Sequence, residues 1–91
     1  FAHSKLAHFN FVGDSIIGAH CNFEAGAVIA NHYNERADKK MMVRWGDQVV
    51  ATGVEKFGAL VGDACKVGAN AVLSPGSLLA PRSVVARLQL V

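Results

Sequence analysis

A six-residue spacing of apolar side chains, running from Val61 to Val91, limits what this chain can fold into more than any other feature. Val61, Val67, Leu73, Leu79, Val85 and Val91 recur at that interval. A helix repeats its apolar positions at about 3.6 residues and a half-buried strand at about 2, so neither accounts for the pattern. A unit of six is long enough for a short strand and a corner, and three units close a triangular coil. One coil cannot bury its own apolar side, so coils must stack. Gly62, Gly68, Ser74 and Ala80 follow the lead positions, and Cys65, Ala71, Ser77 and Ser83 fill the fifth positions. Small residues recur where a corner turns or a narrow interior has no room.

The same spacing opens the chain. Phe11, Ile17, Phe23 and Ile29 lie six apart, with Ser15, Cys21 and Ala27 in the fifth positions and Lys5 one period earlier. Ile29 and Val61 are thirty-two residues apart, which is not a multiple of six. The excess is read as an eight-residue insertion, a polar loop near 32–42 carrying Glu35, Arg36, Asp38, Lys39 and Lys40. With it removed, three columns of interior residues follow. They are Phe11, Ile29, Glu55, Leu73 and Val91; Ile17, Val43, Val61 and Leu79; and Lys5, Phe23, Val49, Val67 and Val85. An unpaired carboxylate is too costly to bury. Glu55 therefore predicts a local departure, with Val54 or Phe57 inward and turns at Gly53 and Gly58, while Val12, Ile16 and Val28 cover an outer face. The expectation is an all-β, single-stranded parallel β-helix of about five coils.

Ninety-one residues make one domain, 1–91, and a start at Phe1 predicts a piece of a longer protein. A net charge of +2 without a basic run argues against a nucleic-acid partner. No apolar run reaches the roughly 18 residues of a membrane span, so no membrane partner is expected. Cys21 and Cys65 both occupy fifth positions, which favours buried small side chains over a disulfide. His3, His20 and His32 with Cys21 lack the compact spacing of a zinc site, so no metal is predicted.

The segments H-F-N-F-V-G-D-S-I-I-G, C-N-F-E-A-G-A-V-I-A-N, K-F-G-A-L-V-G-D and V-G-A-N-A-V-L-S-P-G together resemble the hexapeptide-repeat acyltransferases. They are most similar to the carboxy-terminal acetyltransferase domain of bifunctional sugar-1-phosphate nucleotidyltransferases of the glucosamine-1-phosphate acetyltransferase type. The resemblance implies a left-handed coil, against the usual handedness of parallel crossovers. It also implies a homotrimer with sites in the clefts between subunits, acetyl-CoA as co-substrate, a sugar phosphate or amino-sugar phosphate as acceptor, and a cytoplasmic location.

Matched residue by residue, the resemblance makes His8 the general base. A neutral imidazole can take the proton of an amine or hydroxyl attacking a thioester. Acceptor contacts fall to Asn22, Asn31 and Phe11; of the loop charges, Arg36, Lys39 or Lys40 suits the acceptor's phosphate, and backbone N–H groups near Ala25 or Ala69 suit the thioester or pantetheine arm. The chain departs from the family pattern at several of these places. Phe11 stands for a tyrosine, Glu24 for a glycine, Ala27 for a threonine, and Asn31-His32-Tyr33 for an Asn-Tyr pair.

Each of these residues also has a structural reading. Asn22 and Asn31 suit corner hydrogen bonds, as do Asp14 and Asp63, which follow Gly13 and Gly62. Met41 and Met42 suit anchors for the returning loop. The alternative function is a noncatalytic trimerisation or ligand-sensing tail of a sugar nucleotidyltransferase. A scaffold recruiting partners through Phe9, Tyr33 or Trp45 is a third.

Overall fold

The chain visits three parallel sheets in strict rotation, which makes it a three-sided coil. This computed structural model describes residues 1–37, 42–45, 48–51, 54 and 56–91, with backbone only at 44, 45, 50 and 51. Sheet A contains β1 (Lys5–Leu6), β4 (Asn22–Phe23), β9 (Lys66–Val67) and β12 (Val84–Val85). Sheet B contains β2 (Phe11–Val12), β5 (Val28–Ile29) and β10 (Val72–Leu73). Sheet C contains β3 (Ile16–Ile17), β8 (Ala59–Val61) and β11 (Ser77–Leu79). Every pairing in these sheets is parallel, and no helix occurs among the described residues.

Most strands are only two residues long, and in β4, β5, β9, β10 and β12 the second residue is the buried one. Phe23, Ile29, Val61, Val67, Leu73 and Val85 are buried in the stack, and Ile17 and Leu79 pack against them. Burying each such side chain stabilises by about 1.5–3 kcal/mol. Between them sit buried Cys21, Ala27, Ala59, Cys65 and Ala71, small because the prism interior narrows there. Both cysteines are buried, as their fifth-position placement implied.

Corners recur with the same period. His3, Phe9, His20, Ala64, Asn70, Arg82 and Leu88 all have φ near +60°, in company with Gly26 and Gly76. Most of these side chains have a β-carbon, which ordinarily disfavours that region. The stacked backbone bonds hold them there.

Two expectations from the spacing are corrected. Phe11 is not interior. Val12 pairs with Ile29 and packs against the core, while Phe11 is 51% exposed on the outer face. The corner Gly13–Asp14–Ser15 is one residue short, so the first coil repeats after seventeen residues, Lys5 pairing with Asn22 and Phe11 with Val28. A uniform count of six back from Ile17 therefore lands one position early, and the residue of β1 that pairs with core Phe23 is Leu6 rather than Lys5, both being exposed in this first strand.

The insertion is also larger than a loop near 32–42. The chain leaves the stack after Ile29 and rejoins it at Ala59, and across this gap Val28 pairs with Val72 and Asn22 with Lys66, forty-four residues on. The excursion contains an antiparallel hairpin of β6 (Met42–Trp45) and β7 (Gln48–Ala51). Val43 and Val49 pair with Val50 and Arg44 there, so they do not stand in the coil columns, and Val49 is 57% exposed. An excess of eight and an excess of twenty-six differ by one whole coil, which a periodic pattern cannot distinguish. The expectation for Glu55 and the turn at Gly53 lie outside the described residues, as does Met41. Val54 is exposed rather than inward.

The excursion starts from a crowded corner. Phe57 N–H donates to Asn31 O at 3.0 Å, Gly58 N–H to Asp14 O at 3.0 Å and Gly76 N–H to Gly58 O at 2.6 Å. Gly58 lies so close to Gly13 O and Ser15 Oγ that a β-carbon has no room. Gly76, at φ +83°, faces Met42 O of the hairpin.

Candidate functional site

Three edges separate the three sheets, and they divide the predicted residues. The edge between sheets A and B carries His8, Ala25, Ala69 and Arg87 in successive coils. Gly26 N–H donates to His8 O at 2.9 Å, Asn70 N–H to Ala25 O at 3.0 Å and Leu88 N–H to Ala69 O at 3.0 Å. These bonds stack the candidate base and both candidate backbone sites on one line. Asn10 ties the His8 corner to the next coil, its Nδ2 donating to Glu24 O at 2.9 Å and to Ala27 O at 3.2 Å. His8 itself is exposed.

Asn22 lies beside this edge. It faces outward from β4 between Lys5 and Lys66 on the neighbouring strands. A groove of about 340 Å³ runs along the same face and edge, lined by Asn22, Glu24, Lys66, Gly68, Val84 and Arg87 among others. Lys66 and Arg87 supply positive charge, with Glu24 between them. The Glu24 carboxylate Oε1 accepts from Ala69 N–H at 3.2 Å and stands 3.7 Å from Arg87 Nε. The N–H of Ala69 is thus already engaged within the chain.

Asn31 and Arg36 fall on a different edge, between sheets B and C. Asn31 Nδ2 donates to Asp14 Oδ2 at 2.8 Å. The Arg36 guanidinium lies 3.6 Å above the centroid of the Tyr33 ring, a cation–π contact, and Tyr33 OH donates to Pro75 O at 3.5 Å. Phe11 faces out from sheet B, the surface separating this edge from that of His8. Within one chain, His8, Ala25 and Ala69 therefore share an edge, Asn22 lines the adjoining groove with Arg87, and Asn31 and Arg36 lie a sheet's width away. Lys39 lies outside the described residues.

The third edge, between sheets C and A, holds stacked His3 and His20 rings, 5.0 Å apart and 11° from parallel. Asp63 acts there as a corner acceptor, taking Ala19 N–H at 2.8 Å. Cys21 points away from these histidines into the prism, its Sγ 3.1 Å from Gly62 O.

Lys66 and Arg87 were not singled out by sequence reasoning. The signal was available in the columns, because Lys66 aligns with Asn22 and Arg87 follows the same corner as His8. Finding it required the true coil lengths.

No protein-family model matches the chain. Comparison of sequences does give relatives: the bifunctional protein GlmU of Methanococcus maripaludis strain S2 is 36% identical over 85 residues, which is 93% of this chain and 20% of that protein. The chain is similar to a segment of GlmU-type bifunctional proteins. GlmU of Methanocaldococcus jannaschii is 37% identical over 73 residues, 80% of this chain and 17% of its own length. A bifunctional sugar-1-phosphate nucleotidylyltransferase/acetyltransferase of Sulfurisphaera tokodaii is 36% identical over 73 residues, 80% of this chain and 18% of its own length. The chain thus spans about a fifth of the length of the curated relatives it matches. No helix among the described residues is long and apolar enough to cross a membrane.

Proposed function

We propose that this chain is an acetyltransferase domain that moves an acetyl group from acetyl-CoA to a sugar phosphate or amino-sugar phosphate. The observation that carries this reading is the stacking of His8, Ala25, Ala69 and Arg87 along one edge, the last of them also lining a groove with Asn22 and Lys66. The similarity to GlmU-type proteins supports the same reaction class.

In this reading the coil is left-handed, the chain is a homotrimer, and a neighbouring subunit completes the cleft along the His8 edge. The neighbour's Asn31–Arg36 edge then supplies acceptor contacts that one chain holds apart from His8. The acceptor's amine or hydroxyl attacks the thioester carbonyl while the His8 imidazole takes its proton. The tetrahedral oxyanion collapses, the carbon–sulfur bond breaks, and the CoA thiolate leaves with the proton that His8 had taken from the acceptor. Asn22 has an amide suited to sugar hydroxyls, and Lys66 and Arg87 match the phosphates of a CoA-type donor by charge. Cytoplasmic acetyl-CoA is the expected donor pool.

One observation favours the noncatalytic tail instead. Glu24 holds the Ala69 N–H and pairs with Arg87, so two donors needed by a ligand are satisfied internally. Incubation of the protein with acetyl-CoA and a panel of amino-sugar phosphates decides between the readings. Release of free thiol in an acceptor-dependent manner is expected. A folded trimer releasing none across the panel overturns the acetyltransferase.

A further inference from the structure

The groove beside sheet A carries an internal competitor for its ligand. Glu24 Oε1 is shared between two donors from two successive coils, the Ala69 N–H at 3.2 Å and the Arg87 guanidinium at 3.7 Å. These donors belong to the β9 and β12 corners, so the side chain spans the groove wall rather than bonding locally. Both partners remain accessible, the Glu24 side chain at 44% exposure and that of Arg87 at 74%. An exposed ion pair and one hydrogen bond are weak interactions, each reversible by a better ligand.

We propose that Glu24 is an internal competitor in this groove, which an anionic acyl donor must displace from Arg87 and the Ala69 N–H in order to bind. This rests on the acetyl-CoA reading for the donor's identity. An incoming phosphate meets the Glu24 charge as well as the guanidinium, so only a ligand bringing more than one anionic group, or a second contact at Lys66, gains by the exchange.

The backbone at this position does not depend on the side chain. Glu24 N–H donates to Val67 O at 2.9 Å, and Glu24 O accepts from Ala27 N–H at 3.2 Å and Asn10 Nδ2 at 2.9 Å. Replacing the carboxylate therefore leaves the coil bonds in place. Glu24→Ala frees both donors. Glu24→Gln leaves an amide oxygen for the Ala69 N–H but removes the charge facing Arg87.

Calorimetric titration of the full chain with CoA, beside circular dichroism to verify folding, tests the proposal. Glu24→Ala is expected to bind CoA roughly tenfold more tightly than the unmodified protein, with Glu24→Gln in between. Exchange of the Ala69 amide hydrogen should quicken in Glu24→Ala and slow again when CoA is added. Affinity no higher in either folded variant, including no binding by any of the three proteins, overturns the proposal. The parent reading fails separately. Tighter binding by Glu24→Ala with no thiol release by the unmodified protein leaves the carboxylate's role standing and removes the acetyltransferase; thiol release with unchanged CoA affinity does the reverse.

Discussion

Asn31 Nδ2 donates to Asp14 Oδ2 at 2.8 Å, and this bond joins the base of the long excursion to the one corner of the stack that is a residue short. The two irregularities of the coil thus meet at one place. Asn31 is therefore part of the framework as well as a candidate acceptor contact. A double-mutant cycle of Asn31→Ala and Asp14→Ala in urea unfolding should give a coupling of about 0.5–1.5 kcal/mol. Zero coupling would mean that the pair does not hold the loop base.

The short corner makes a second prediction, about register. Phe23 is fully buried and Phe11 is 51% exposed, although both stand on the six-residue spacing. Phe23→Ala should cost about 3–5 kcal/mol, through lost burial and the cavity left behind. Phe11→Ala should cost less than about 1 kcal/mol in the monomer. Equal costs in equilibrium denaturation would restore the uniform register.

His8 is exposed and its corner is held by backbone bonds, so its side chain can be removed without disturbing the coil. His8→Ala should retain the melting temperature and lower acceptor-dependent thiol release by about a hundred- to ten-thousand-fold, the usual range for general-base catalysis. Full activity in this variant would leave acyl transfer in place and remove His8 as the base.

The ends of the excursion are already bonded, Phe57 N–H to Asn31 O at 3.0 Å. Replacing residues 33–56 by Asn-Gly should therefore leave a cooperatively unfolding β-protein, because along the chain the core residues pass from Ile29 directly to Ala59 and Val61. Acceptor-dependent turnover should be lost with Arg36. Had Val43 and Val49 been core residues, the same deletion would remove two interior positions and the far-UV β signal with them.

Tyr33 ties the excursion to the corner of the following coil through Pro75 and also carries the Arg36 guanidinium. Tyr33→Phe removes only the first contact, and Tyr33→Leu removes both. If the cation–π contact positions Arg36, Tyr33→Leu should raise the acceptor KM several-fold more than Tyr33→Phe, with kcat less affected. Equal effects would assign the role to the Pro75 bond alone.

The sequence by itself determined the repeating unit. Six-residue spacing with small fifth positions permits only a stacked coil, and Phe23, Ile29, Val61, Val67, Leu73 and Val85 stand in its core as their spacing implied. The resemblance motifs picked out His8, Ala25 and Ala69, which do share an edge. Tertiary structure decided everything that a period leaves open. Only the pairing of Phe11 with Val28 reveals the missing residue at Gly13–Ser15, and only the pairing of Val28 with Val72 tells a hairpin from an extra coil. The placement of Lys66 beside Asn22, and of Glu24 against Ala69 and Arg87, follows from those coil lengths. A repeat fixes positions only up to a whole turn, whereas a groove depends on which turn lies next to which.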